Sequence, residues 1–200
     1  MSLLTIAEKV AKENGFIVPA NVVGSTSREL VELLSFANEV GRDLARRADW
    51  TTLRESVTMT GDGTAKDHAL GANFKRLAKG YGVTVGGAPV RTITQGEFAA
   101  LVAAEGTPRY AALDGLTLAL WPYLANAATA TANIITGAWC SNGADAFTAD
   151  NDTSLIDEDV FAKGLIAHWR RQKGMPYADH EAEFEAALAA AALFDHGARL

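Results

Sequence analysis

The sequence predicts an α+β fold, with a helical bundle formed by the N- and C-terminal helices and an inserted small antiparallel β region. Apolar residues recur at the three- and four-residue spacing of amphipathic helices towards both ends of the chain. The middle third is instead rich in β-branched residues and in glycine turns. We therefore expect a helical body made of residues 1–53 and 147–200, and a β-rich insertion over residues 54–146.

The first two helices are predicted from caps and from apolar periodicity. Thr5 to Glu8 has the spacing of a capping box, and Asn14-Gly15 supplies a left-handed stop. Thr26 to Glu29 is a second capping-box pair, which opens a longer helix that ends near Trp50. The buried stripe of that helix is predicted to contain Leu30, Leu33, Leu34, Ala37, Val40, Gly41 and Leu44.

Strands are predicted from alternation and from turn residues in the middle of the chain. Glu55 to Thr60 and His68 to Leu70 are the first two candidates, and Asn73 to Leu77 is interpreted as a single helical turn. Val83 to Thr94 is β-branched but is interrupted by Gly86-Gly87. The first part of the insertion is thus predicted to consist of short extended segments.

The second part of the insertion contains a short helix, a hairpin and a last strand. Thr94 to Glu97 is a third capping-box match. Tyr110 to Leu113 and Leu116 to Trp121 flank Asp114-Gly115, a dipeptide favoured in two-residue hairpin turns. Ala130 to Cys140 is the last strand candidate.

Two further helices are predicted in the last third. Ser154 precedes an acidic first turn, where a side-chain cap and the helix dipole both favour a helix start. Lys173-Gly174 ends that helix, and the final helix runs from about Tyr177 to Phe194. Its alanine-rich part, Ala186 to Ala192, suits close packing against another helix of this chain or of another subunit.

Composition excludes several classes of protein. Apolar residues make up 48% of the 200 residues and the formal net charge is -6, which is ordinary for a globular protein and unlike a broad basic nucleic-acid-binding surface. Arg46-Arg47 and Arg170-Arg171 are each expected near a helix C-terminus. The N-terminus lacks the pattern of a signal peptide, and no stretch has the roughly 20 apolar residues of a membrane span.

The chemical motifs of common enzymes are missing from the sequence. Cys140 is the sole cysteine, so neither an intramolecular disulfide nor a cysteine zinc cluster is expected, and we interpret it as a buried, unreactive thiol. The four histidines are scattered, and His168 is expected on the apolar face of its helix. We therefore predict no catalytic residues, no metal and no cofactor.

The acidic stretch Asp150 to Ser154 has the alternating oxygen side chains of a calcium loop. However, Leu155 occupies the position of the sharp-turn glycine and Phe161 that of the bidentate glutamate. We therefore interpret the stretch as the N-terminal cap of a helix rather than as a cation site.

An ordered series of motifs resembles the phage head-to-tail adaptor (connector) proteins. Phe147 to Glu158 contains an Asp-x-Asp-Thr segment, Trp169-Arg170 follows on a helix, and Lys173-Gly174-Met175-Pro176-Tyr177-Ala178 leads into the last helix. The opening Ser2-Leu3-Leu4-Thr5-Ile6 also fits. The stretch His68 to Phe74 departs from the family pattern, because it keeps the Leu and the Phe but lacks the Pro and the Asp.

The resemblance implies a virion structural protein without covalent chemistry. It implies a ring, typically a dodecamer, that connects the portal protein to tail or nozzle proteins in the virion neck after assembly in the host cytoplasm. DNA would pass through the extended channel without specific binding, and no membrane is involved. A tail terminator or other neck protein is the alternative within the same class, and a small hydrolase is the alternative from another class.

The resemblance also suggests which residues matter. We expect the C-terminal segment to form the portal or subunit interface, through Phe194, Asp195, His196, Arg199 and Leu200. Structural roles are expected for Trp50, Asp152, Ser154, Trp169, Gly174 and Tyr177.

Overall fold

The computed structural model describes residues 2–80 and 82–195, and it confirms the α+β class. The chain divides into two compact units. One, the helical unit, comprises the described residues of 1–53 and 137–200, and the other, the β unit, comprises those of 54–136. Among the described residues, no helix has both the length and the apolarity that a membrane crossing requires.

The helices α1 to α5 span Leu3–Asn14, Arg28–Arg47, Gln95–Ala99, Glu158–Gln172 and Ala178–Asp195, with a 3-10 helix at Thr51–Leu53. The strands β1 to β11 span Arg54–Thr60, Asp67–Ala69, Phe74–Leu77, Val83–Val85, Ala88–Pro89, Arg91–Thr92, Glu105–Gly106, Tyr110–Asp114, Thr117–Trp121, Tyr123–Leu124 and Thr129–Thr136.

Helix α4 lies at the centre of the helical unit and packs against α1, α2 and α5. Its buried residues are Val160, Phe161, Ala162, Gly164, Leu165, Ile166, Ala167 and Trp169. They include neighbours in sequence, so several sides of the helix are covered rather than one stripe. The predicted bundle of the N- and C-terminal helices is therefore too simple a description, because one helix is surrounded by the other three.

Two helices begin at residues other than those predicted. Ser2 caps α1, its Oγ accepting a hydrogen bond from the backbone N–H of Thr5 at 3.3 Å, so Thr5 lies inside the helix. Helix α2 begins at Arg28, with Ser27 as the residue before it, so Thr26 does not cap it. The predicted stop is confirmed at Gly15, which has a φ of 73°.

The β unit contains three sheets, which are not all antiparallel. Strand β11 is central to a five-stranded sheet with the order β1-β11-β4-β5, in which β3 also pairs with β11. A four-stranded sheet has the order β2-β9-β8-β6, and β7 pairs with β10. The pairs β6–β8 and β7–β10 are parallel and the other strand pairs are antiparallel, so the β unit is largely but not entirely antiparallel.

The predicted helical turn over Asn73 to Leu77 is wrong. Residues Phe74–Leu77 form β3, which pairs antiparallel with β11. Phe74 is buried in the main core of the β unit, where cross-strand packing outweighs the local turn preference. The strand predicted over Ala130 to Cys140 ends earlier, at Thr136.

Hydrophobic cores cover both faces of the central hairpin β8–β9. Leu118, Leu120 and Ala111 belong to the main core, whereas Ala112 and Ala119 pack with Phe98 of α3. The capping box predicted at the start of α3 is confirmed, because Thr94 and Glu97 bond reciprocally. The hairpin turn falls one residue later than predicted, since Asp114 pairs with Thr117.

Candidate functional site

The loop before α4 is organised by the buried carboxylate of Asp152, which is 9% exposed. Its Oδ2 accepts hydrogen bonds from the backbone N–H of Thr148 at 2.6 Å and of Ala149 at 2.9 Å. It also accepts one from Nδ2 of Asn142 at 2.8 Å. The hydrogen bond from the N–H of Thr148 contributes most to lowering the pKa of Asp152, so the side chain is held as a carboxylate.

A second carboxylate ties this loop to the N-terminal part of the chain. Oδ1 of Asp150 accepts hydrogen bonds from the backbone N–H of Val22 at 2.9 Å and of Val23 at 2.8 Å. The carbonyl of Asp150 accepts a further bond from the N–H of Leu4 at 3.1 Å. One loop thereby positions both the start of α1 and the connector that leads to α2.

Asp157 is the N-cap of α4, and the prediction that Ser154 caps this helix is wrong. Oδ1 of Asp157 accepts hydrogen bonds from the N–H groups of Asp159 and Val160, both at 3.0 Å. Oγ of Ser154 instead accepts a bond from the N–H of Ile156 at 3.1 Å, which closes a turn ahead of the helix. The sequence contains two possible N-cap residues, Ser154 and Asp157, three residues apart. Because Ser154 closes a turn, the helix begins after Asp157.

The same carboxylates are poorly arranged for a cation. Asp150 and Asp152 both point at N–H donors, and the positive ends of those groups would repel a metal ion. No group of three or more His, Cys, Asp or Glu residues suited to holding a metal occurs within residues 2–80 and 82–195.

The other residues with predicted structural roles lie at element ends. Trp50 is 2% exposed and donates from Nε1 to the carbonyl of Leu44 at 2.8 Å. Trp169 is buried in α4. Gly174 adopts a φ of 67° just after α4, and the carbonyl of Tyr177 accepts from the N–H of Glu181 at 2.9 Å.

The predicted interface residues are only partly within the described structure. Phe194 is 63% exposed at the end of α5. The carboxylate of Asp195 accepts from the N–H and from Oγ1 of Thr51, both at 2.6 Å, so it caps the 3-10 helix within the chain. His196, Arg199 and Leu200 lie outside the described residues.

Phe194 forms one wall of an open groove of about 830 Å³, which we call the acidic groove. Its apolar lining includes Leu155, which is 38% exposed. Its carboxylates come from Asp157, Glu158, Asp159 and Asp195. The described residues that line this groove include no lysine or arginine. The family resemblance suggested Phe194 as part of an interface segment, whereas Leu155 was not singled out as a surface residue.

A second exposed apolar feature, the apolar loop, consists of Ile17 and Val18 after α1. Ile17 is 90% exposed and Val18 is 43% exposed. The flanking residues are fixed, because the ring of Phe16 lies 5.1 Å from that of Trp169 and Pro19 is buried. In the sequence, this loop is a short apolar run directly after the end of a helix. Hydrophobic periodicity does not predict whether such a run is buried or exposed.

His168 lines a cleft of about 290 Å³ between α2, α4 and α5. Its side chain is 15% exposed, and its Nε2 lies 3.4 Å from Oε2 of Glu39. Burial and the neighbouring Arg171 lower the pKa of His168, although Glu39 and Asp43 oppose this shift. The imidazole is therefore neutral at pH 7. It contacts the ring of Phe36 edge-on, as expected for a histidine beside the apolar face of its helix.

We expect His168 to make the helical unit sensitive to mild acid. A histidine whose folded pKa is lowered is protonated first in the unfolded state, so its stabilising contribution is complete above pH of about 6.5. That contribution is lost as pH falls towards the lower folded pKa. The Tm of His168→Gln should fall less than that of the unchanged chain between pH 7.5 and 5.5, by thermal unfolding.

His180→Gln, on the neighbouring helix α5, serves as the matched control for this comparison. An equal fall in Tm for the unchanged chain and for His168→Gln would exclude His168 as the source of the acid sensitivity.

Cys140 is fully buried, and this burial contributes most to raising the pKa of its thiol. This placement agrees with the predicted buried thiol, since a nucleophilic cysteine requires a lowered pKa and access. The arginine pairs also lie where they were expected, in the last turns of α2 and α4.

A protein-family model described as SU10 adaptor protein matches residues 1–200 of this chain. No curated protein matches it. The family match covers both units, including the β unit in which the motifs resemble the adaptor pattern less closely, and it confirms the resemblance to phage adaptor proteins.

Proposed function

We propose that this chain, which belongs to the SU10 adaptor protein family, is a head-to-tail adaptor in the neck of a tailed phage. In this proposal, copies of the chain form a ring, a dodecamer, that connects the portal protein to tail or nozzle proteins. The ring extends the DNA channel, and it is assembled in the host cytoplasm.

The family match over residues 1–200 is the single observation that carries this proposal. The physical features of the helical unit support it. Its carboxylates have structural roles, since Asp152 and Asp150 accept hydrogen bonds from loop N–H groups and Asp157 caps α4. Apolar residues remain exposed at its surface, and such residues suit contacts with other proteins.

The net charge of -6 is consistent with the passage of DNA through a ring of this protein. Phosphates are held by lysine and arginine through counterion release, and an acidic surface keeps them mobile. We therefore propose that DNA moves past the ring without specific binding.

The alternatives differ in what they predict for a purified sample. A tail terminator would bind tail tubes rather than portals. A small hydrolase would use a cleft with an acid–base pair. The cleft beside His168 is the nearest arrangement to such a pair, and the neutral imidazole beside Glu39 is its acid–base candidate. The match to an adaptor family favours the adaptor over both alternatives.

Electron microscopy of the protein mixed with its portal tests the proposal. We expect ring-shaped density that caps the portal, with the symmetry of the portal or a simple divisor of it. Portals that remain bare at high protein concentration, while tail tubes are capped instead, would identify a tail terminator.

We further propose that the C-terminal segment faces the portal. Deletion of residues 196–200 should leave Asp195 bonded to Thr51 and the protein folded, while its joining to portal-containing heads is lost. The measurement is the fraction of heads that carry the ring in micrographs, together with the Tm of the truncated chain.

Deletion of residues 195–200 is the matched comparison for this truncation. It should lower the Tm in addition, because it removes the carboxylate that caps the 3-10 helix. Normal head joining by the shorter deletion would contradict the placement of the portal contact at this end.

A further inference from the structure

The two ends of helix α4 carry opposite charge. Helix α4 has Asp157, Glu158 and Asp159 at its start and Arg170 and Arg171 in its last turn. Glu158 and Arg170 are 12 residues apart, which separates them along the helix by about 18 Å at 1.5 Å per residue. Helix α4 itself is therefore acidic at its start and basic at its end.

The neighbouring helices place one exposed apolar feature at each end. Lys9 of α1 pairs with Asp159 at 3.1 Å, and the carbonyl of Glu13 accepts from Arg170 at 3.3 Å, so α1 runs parallel to α4. The apolar loop that follows α1 consequently lies at the basic end. The acidic groove lies at the other end, because Asp157 lines it together with Phe194.

The acidic groove suits an apolar ligand with a basic rim. Leu155 and Phe194 expose apolar surface inside it. Its volume of about 830 Å³ lies in the range of roughly 300–1,000 Å³ that is typical of binding clefts. Asp157 and Glu158 add negative charge beside this apolar surface.

The apolar loop has the chemistry that such a groove would accept. Ile17 lies in a two-residue loop between the fixed residues Phe16 and Pro19, so little conformational freedom would be lost when it is buried. The guanidinium of Arg170 donates to the carbonyls of Glu13 and Pro176 rather than to a carboxylate of the described residues. Lys173 lies 4.8 Å from the ring of Trp169, although it also pairs with Glu32. Positive charge therefore accompanies the loop.

We propose that copies of this chain associate end to end, with the apolar loop of one copy inserted into the acidic groove of the next. The occupant is a second copy because the loop and the groove match in both apolarity and charge, and because they lie at opposite ends of one unit. Two different surfaces in contact make a heterologous interface, which closes into a ring when the rotation permits. This inference deepens the proposed ring and rests on the proposed function.

Cysteine cross-linking between copies tests the contact directly. Ile17→Cys protein is mixed with Phe194→Cys protein, both with and without portal, and treated with a short bismaleimide. We expect a covalent dimer in the mixture at several times the yield of either variant alone. The unchanged chain serves as the blank, because Cys140 is fully buried.

The control mixture pairs Ile17→Cys with Val102→Cys, a position of the β unit that is 81% exposed. Dimer yields no higher for the 17–194 mixture than for this control, in both the free and the portal-bound samples, would overturn the proposal.

A charge placed on the loop tests the same contact by assembly. Ile17→Glu should reduce complete rings on portals at least tenfold, since it brings an unpaired carboxylate against the acidic groove. Val102→Glu should leave ring formation unchanged. Combining Ile17→Glu with Phe194→Arg in one chain should restore rings in part, because the introduced charges then attract across the contact.

The two proposals fail in distinguishable ways. Complete rings on portals formed by Ile17→Glu protein would overturn the end-to-end contact and leave the adaptor function standing. Efficient cross-linking between residues 17 and 194 with portals that stay bare would support the contact and overturn the adaptor function.

Discussion

Gly41→Ala should destabilise the helical unit by about 2–3 kcal/mol, although helix propensity alone favours alanine by about 1 kcal/mol at an interior helical position. A Cβ at residue 41 would lie closer than 3.0 Å to the indole ring of Trp139. That ring is fully buried, and its centroid is 4.8 Å from that of Phe147 and 5.5 Å from that of Phe161. The ring has little room to move, so the methyl group forces a shift of α2 or of this aromatic cluster.

Thermal and urea unfolding followed by circular dichroism measure this effect. Gly96→Ala is the matched control, because a Cβ at residue 96 of α3 would meet nothing within 4 Å. It should change the stability by no more than about 1 kcal/mol, in the stabilising direction. A Gly41→Ala protein as stable as the unchanged chain would show that Trp139 does not require the close approach of α2.

Asp152→Ala should lower the free energy of unfolding by about 2 kcal/mol at pH 7, because it leaves the partly buried N–H groups of Thr148 and Ala149 without their acceptor. Urea unfolding is the measurement. Asp145→Ala is the control in the same part of the chain, where the side chain is exposed, and it should change stability by less than about 0.5 kcal/mol.

The stabilisation by Asp152 should also depend on pH in a defined direction. The pKa of the folded state is lowered, so the contribution is complete above the unfolded value of about 3.8 and is lost as pH falls through the lower folded value. The difference between the unchanged chain and Asp152→Asn should accordingly shrink in strong acid. A difference that is constant from pH 7 to pH 2 would contradict a charged role for this carboxylate.

The helix ends show how far local sequence determines structure. Gly15 and Gly174 end their helices as predicted, because a left-handed residue after a helix is chiefly a local preference. The starts are less local, since Ser2 competes with Thr5, and Asp157 with Ser154. Tertiary hydrogen bonds decide the choice, such as that from the N–H of Leu3 to the carbonyl of Asp152 at 2.8 Å.

The strands were predictable in proportion to their length. Strand β1 has seven residues and was predicted to within one of them, whereas the parallel pair β7–β10 has two residues in each strand and no periodicity to read. Strand β3 contains four residues with a single buried position, Phe74, so its pairing partner rather than its pattern determines its conformation.

The surfaces proposed for assembly were predictable in part. Phe194 was suggested as an interface residue by the family resemblance alone, not by its position in the helix. The apolar loop depends on the anchoring of Phe16 by Trp169, a contact between residues far apart in the chain. Such a contact is not readable from local spacing.

The tie between Asp150 and the N–H groups of Val22 and Val23 spans more than a hundred positions of the chain. During synthesis, α1 and α2 leave the ribosome before the residues that hold them exist. The β unit is continuous in sequence, and its strands pair within residues 54–136, so its contacts can form first. We expect the apolar faces of α1 and α2 to remain exposed until α4 has been translated, and aggregation to be most favoured during that interval.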